Sequence, residues 1–211
     1  MNERIQAGEL TRRQEDYNLI RGYAQYVDDL RSVPGRPHAL YMAVVRSIYA
    51  HATITHINLD AARSLPGVVA AHQGEELVRG MPTIEAMSLP GLKKPERRPL
   101  ATGKARYVGD PVAIILAENP YTAADAVDLV EVDYEPLPAV SDPEHALEAD
   151  APLLYDEFGS NLAFSQKTGG GDIEAAFKNA DHVTHLRVVN QRLAPSSLEP
   201  RACLFDFDPA S

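Results

Sequence analysis

The sequence has 211 residues, enough for one large domain or for one domain plus part of another. Hydrophobic residues make up 45% of it, with no Trp and 7% aromatics, so a core built from Val, Ile, Leu and Ala is expected. With 30 acidic against 20 basic residues, the formal charge of −10 argues against a nucleic-acid partner, which requires a basic surface.

Cys203 is the single cysteine. One thiol forms no internal disulfide, zinc site or iron–sulfur cluster, and its place in the run ACLFDF reads as a small core residue. The charged N-terminus lacks the apolar stretch of a secretory signal, and no apolar run approaches the ~18–20 residues of a membrane span. A reducing, cytoplasmic setting is the expectation.

Residues 1–19 read as a polar tail or a short helix. Residues 40–46 (LYMAVVR) are rich in strand formers. Residues 53–59 (TITHINL) alternate in polarity, as a strand of mixed exposure does. Asp60 is placed to cap a short helix over 61–64, which Pro66 and Gly67 end. A strand over 68–72 and one helical turn over 74–77 follow. Residues 78–102 hold prolines, glycines and the basic cluster Lys93, Lys94, Arg97 and Arg98. They read as a surface loop with a solvated patch, or as a loop that orders against another subunit.

The continuous apolar run PVAIILA at 111–117 predicts a strand covered on both faces. Asn119 and Pro120 break it. Thr122 is placed to cap a helix with Asp125 in its first turn, and Ala123, Ala126, Val127 and Val130 share one face. Residues 131–134 (EVDY) read as a strand, and Pro136 and Pro138 impose an extended exit. A Pro-, Asp- and Gly-rich connector runs from 142 to 171. Asp172 then caps a two-turn amphipathic helix with Ile173, Ala176, Phe177 and Ala180 inward. Residues 182–192 and 202–207 are expected to form a strand pair.

Candidate chemistry is sparse. Gly169, Gly170 and Gly171 before Asp172 suggest a phosphate cradle, but the Lys-Ser/Thr of a P-loop is missing and Asp172 would repel an anion, so a linker with a helix cap is the reading. His182 and His185 are three apart, which on a strand points them to opposite faces; His51 and His56 have the same difficulty, and no third ligand converges. His51 is expected to hydrogen-bond a local turn. Ser196, Ser197 and Glu199 lie outside any GxSxG context and read as part of a turn. Glu199 is expected to pair with Arg201 or another arginine. No catalytic, cofactor-binding or metal-binding residue is assigned.

Several segments then carry a resemblance. They are GYAQYVDDL at 22–30, RSIYAHA at 46–52, LPGVV at 65–69, YVGDPVA at 107–113, VDYEPLPAV at 132–140, GD at 171–172 with AAFKNA at 175–180, and LEPR at 198–201. In this order they resemble the start of the molybdenum-binding large subunit of the xanthine dehydrogenase, aldehyde oxidase and carbon monoxide dehydrogenase family. Ile48 stands where that family's signature has proline, which implies a looser turn.

The resemblance implies an α+β fold: an α/β hammerhead domain with a mixed sheet and packed helices over 20–148, a linker over 149–171, and the incomplete beginning of an α/β molybdopterin-binding domain over 172–211. It implies oxidative hydroxylation, with water as the oxygen source, by the full enzyme. Molybdopterin-molybdenum would sit in the full large subunit, and iron–sulfur and FAD groups in partner subunits or domains. The segments contacting the cofactor would lie beyond Ser211, so this chain alone is expected to bind no cofactor and to be inactive. A structural and subunit-docking role in an oligomeric complex follows, with Glu199 at most shaping the active-site funnel. Strands 182–207 would expose apolar edges and favour self-association. The alternative is a stand-alone, non-catalytic binding or assembly module that completes a separately encoded catalytic chain. Purines, aldehydes, N-heterocycles and carbon monoxide are all substrates on this scaffold.

Overall fold

The computed structural model describes residues 13–30, 38–84, 89–197 and 200–207. Part of the expected N-terminal tail, positions 85–88 of the long loop, and Leu198 and Glu199 of the LEPR segment lie outside the described residues. The chain divides into two units, one spanning Leu40–His182 and the other taking in the residues before and after it.

The larger unit is built on two three-stranded sheets. In the first, β5 (Pro111–Ala117) lies between β1 (Tyr41–Arg46) and β3 (Val68–Gln73). In the second, β2 (Ala52–Asn58) lies between β4 (Lys104–Ala105) and β6 (Glu131–Pro136). The α+β class holds. The expected mixed sheet is instead two sheets with every pairing antiparallel. An apolar run such as PVAIILA signals cover on both faces, not strand direction. Val112 and Ala113, which point to opposite faces of β5, are both fully buried.

Helix α4 (Pro120–Asp128) packs on β1, β5 and β3 and touches α2 (Asp60–Ser64). Its buried residues are Ala123 and Ala126, small side chains that let the helix approach the sheet closely, and Val127 and Val130 pack partly buried against the same core. Ile54 and Ile57 of β2 and Val132 of β6 join this core from the second sheet.

The helix starts differ from expectation. Asn119, not Thr122, caps α4: its Oδ1 accepts from the Thr122 N–H at 2.9 Å, and Pro120 occupies the first turn, where a missing N–H costs nothing. At α2, Asp60 is the first helical residue, and Asn58 Oδ1 accepts its N–H at 3.0 Å. Helix α3 (Gly74–Leu77) is the single turn expected. Gly74 admits a close neighbour, since a Cβ there would sit 2.2 Å from the Ala101 carbonyl oxygen.

The described parts of 78–102 carry no helix or strand, but both ends are anchored, with Val78 and Leu100 buried. The basic cluster divides. Lys94 and Arg97 are exposed, whereas half-buried Lys93 and Arg98 donate to backbone carbonyls of Phe158 and Met81.

Near its end, this unit holds α5 (Ile173–Lys178), capped as expected by Asp172, whose Oδ1 accepts from the Ala175 N–H at 2.9 Å. Its expected inward face is not covered: Ile173 and Phe177 are exposed, because no described element packs against them.

In the smaller unit, α1 (Asp16–Ile20) carries Arg21 just beyond it, over the Tyr17 ring at 4.1 Å. A 3-10 turn, Val27–Asp29, follows, with the Tyr26 N–H donating to Asp29 Oδ2. The strand pair expected over 182–192 and 202–207 is not formed. Among the described residues 183–207 there is no helix or strand, and Leu186, Val188, Leu193 and Phe205 are each more than three-quarters exposed. A strand forms only where a neighbour takes up its N–H and C=O groups, and no described residue does so here. Cys203 is exposed, not a core residue, for the same reason.

Candidate functional site

The densest set of polar contacts gathers around the turn between β1 and β2. Ser47 closes that turn: its hydroxyl donates to the Tyr49 carbonyl and accepts the Tyr49 N–H. Ile48, in the position where a looser turn was expected, points out and is exposed. Beside it runs the turn after β4. The Ser47 N–H donates to the Asp110 carbonyl, the Gly109 N–H donates to the Ser47 carbonyl, and an Arg46 guanidinium N–H donates to the Gly109 carbonyl. Gly109 has φ +90°, a left-handed conformation that a side chain would strain.

His51 is buried and holds the chain's exit from β6 at two points. Its carbonyl accepts the Leu137 N–H at 2.9 Å, and its Nδ1 lies 2.8 Å from the Pro138 carbonyl, which can only accept, so Nδ1 carries the hydrogen. The expected bond to a local turn is thus a bond to a residue 87 positions away. His51 Nε2 is buried with no hydrogen-bond partner among the described residues.

The segment after this exit, read from sequence as a connector, folds back on the sheet. Asn161 ties it internally, accepting the Leu154 N–H and donating to the Ala146 and Pro152 carbonyls. Lys104 Nζ lies 2.7 Å from Asp156 Oδ2, and that hydrogen bond and charge hold the Asp156 carboxyl below its ordinary value. Arg106 lies over the Tyr155 ring at 4.6 Å and donates to the Leu154 carbonyl. Lys93 joins from the long loop, its N–H on the Ala163 carbonyl and its Nζ on the Phe158 carbonyl. Burial, then the Asp110 carboxylate, raises the Tyr107 hydroxyl above its usual range, and burial does the same at Tyr134.

Between this segment and the turns lies a cavity of about 650 Å³, lined by His51, Lys93, Arg106, Leu154, Tyr155 and Phe158 among others.

The other sequence candidates do not converge. His56, His182, His185, Ser196 and Ser197 are exposed, as is Arg201, while Glu199 lies outside the described residues. Among the described residues no three His, Cys, Asp or Glu side chains come together as a metal site. The Gly169–Gly171 stretch gives no anion cradle, because Asp172 already occupies the α5 N-terminus. Sequence reasoning missed the Lys104–Asp156, Arg106–Tyr155 and Asn161 contacts. Each involves a residue of the 142–171 stretch that composition marked only as connector. No helix among the described residues is long and apolar enough to cross a membrane.

Residues 21–138 match the family model described as aldehyde oxidase and xanthine dehydrogenase, a/b hammerhead domain. The chain is 36% identical over 216 residues to the 6-hydroxypseudooxynicotine dehydrogenase complex subunit gamma of Paenarthrobacter nicotinovorans, covering 99% of this chain and 26% of that protein. It is 34% identical over 208 residues to the carbon monoxide dehydrogenase large chain of Hydrogenophaga pseudoflava, covering 92% and 25%. Among solved structures, quinoline 2-oxidoreductase from Pseudomonas putida 86 superposes with a TM-score of 0.65 at 35% identity, over 72% of this chain and 19% of that one. The chain thus spans about a quarter of the length of these curated relatives. A hammerhead match over more than half of its residues, on the paired antiparallel sheets and helices described above, places the chain in the aldehyde oxidase and xanthine dehydrogenase family.

Proposed function

We propose that this chain is the N-terminal part of a molybdenum hydroxylase large subunit, in which it serves as a structural and subunit-docking element. The observation that carries this reading is the collinear match: 99% of the chain aligns with one relative of which it covers only 26%. In the full enzyme, a substrate would be hydroxylated with oxygen from water, and its two electrons passed on. Molybdopterin-molybdenum would lie in the remainder of the large subunit. Iron–sulfur and FAD groups would lie in partner subunits or domains of an oligomeric, cytoplasmic complex. The division into a hammerhead domain over 20–148, a linker over 149–171 and the beginning of a molybdopterin-binding domain from 172 belongs to the same proposal. So does the inactivity of the 211-residue chain alone. Its support is the family match over residues 21–138 and the small share, 26%, that the chain covers of a curated relative. Family membership, not a catalytic constellation, is the warrant.

The test is the intact mass of the native polypeptide carrying this N-terminus. A mass several-fold above 23.0 kDa, in a complex that contains molybdenum, is expected. A native mass of 23.0 kDa would overturn the reading in favour of a stand-alone module that completes a separately encoded chain.

A further inference from the structure

We propose that the cavity beside His51 is a binding site for a small aromatic carboxylate. Its volume of about 650 Å³ lies in the range of pockets that take small organic ligands. The wall is largely apolar, with Val108, Val140, Leu154 and Leu162 among its residues, and the Tyr155 and Phe158 rings, 6.0 Å apart and tilted by 51°, add aromatic surface to it.

Two cations stand in this apolar wall with no ion-pair contact to a carboxylate among the described residues, although the charge of one, Arg106, also acts on the Asp156 carboxyl. Lys93 Nζ has the Phe158 carbonyl. Arg106 has the Leu154 and Lys104 carbonyls and the Tyr155 ring. An ammonium carries three N–H donors and a guanidinium five, so both keep donors to spare. Nearby, Lys104 pairs with Asp156, and the Asp110 carboxylate accepts the Arg106 backbone N–H. Positive charge in a partly dry site is offset best by an anion, and a carboxylate matches the planar guanidinium edge. His51 lines the same cavity, and its Nε2 is a buried hydrogen-bonding atom with no partner among the described residues. A polar site of this kind with an apolar floor selects a ligand with one charged end and one flat apolar end.

All the lining residues belong to the Leu40–His182 unit. The 211-residue chain, labelled with nitrogen-15, is titrated with naphthalene-2-carboxylate and followed by amide chemical shifts. Saturable shifts are expected at Ala50, His51, Leu154, Tyr155 and Phe158. Naphthalene-2-carboxamide, which keeps the shape but not the charge and leaves the protein untouched, should bind at least about tenfold more weakly. Lys93→Met should weaken the carboxylate to a similar degree, with the amide spectrum otherwise preserved. The proposal is overturned if no saturable shift appears at millimolar probe, if the carboxamide binds as tightly as the carboxylate, or if the shifts fall on 186–193 instead.

Discussion

Two stretches of this molecule have nearly the same apolar vocabulary and opposite fates. In β5, PVAIILA has a strand on each side and a helix on its sheet, and Val112, Ala113, Ile115 and Ala117 are fully buried. In LRVVNQRL, at 186–193, Leu186, Val188 and Leu193 are each more than three-quarters exposed, and no strand forms. The difference lies in the partners, not in propensity. β-propensity measures fit to a pleated, half-covered surface, and such a surface has to be supplied by other segments. The neighbours of β5 come from β1, some 70 positions earlier, and from β3.

The comparison can be broken from its strongest side first. Ile115→Ala removes buried methyl groups from the centre of the core and should cost about 2–5 kcal/mol, whereas Leu186→Ala should change stability by less than about 0.5 kcal/mol. Chemical denaturation of the two variants measures both. Equal losses would show that 186–193 is packed in solution.

A smaller effect separates the two capped helices. Both Asn119 and Asp172 accept an N–H three residues on, at the same 2.9 Å. Asn119→Ala should lower global stability by about 1 kcal/mol, since α4 is part of the core. Asp172→Ala should leave the global transition unmoved and raise amide exchange within α5 alone, since that helix buries no residue.

The smallest effect concerns the Lys104–Asp156 pair, which closes the folded connector with its carboxylate largely exposed. The folded Asp156 carboxyl lies below its ordinary value of 3.8, chiefly through the Lys104 hydrogen bond and charge. Its contribution is therefore present above about 3.8 and lost as pH falls through the folded value. Amide exchange at 156–158 should rise on acidification through that window, and Asp156→Asn should make it insensitive to pH there.

The core was legible in the sequence because its signals are local. PVAIILA, YMAVVR and the Ala face of α4 each announce burial in a short window, and the GEEL turn fell where composition placed it. The capping residue of α4 was missed for a chemical reason: Asn119-Pro120 reads as a break, yet Asn before Pro is also how a helix begins. The contacts around the cavity were not legible, because they join residues far apart. His51 meets Pro138, Lys93 meets Phe158, and Lys104 meets Asp156. No periodicity marks such pairs, and Pro- and Asp-rich composition marked the region only as connector. The strand pair over 182–207 failed for the complementary reason: local pattern was present and neighbours were not.

The grip of His51 on the β6 exit has a mechanical meaning. Pro136 and Pro138 have no N–H to give, so Leu137 carries the only backbone donor in that stretch, and His51 takes it while binding the next carbonyl along. Two stiff rings flank a joint pinned on both sides, which removes the freedom to swivel that a strand exit usually has. A pull on the chain just past Pro138 would load β2 directly, along the length of its ladder with β6, and the exit would behave as a strut, not a hinge.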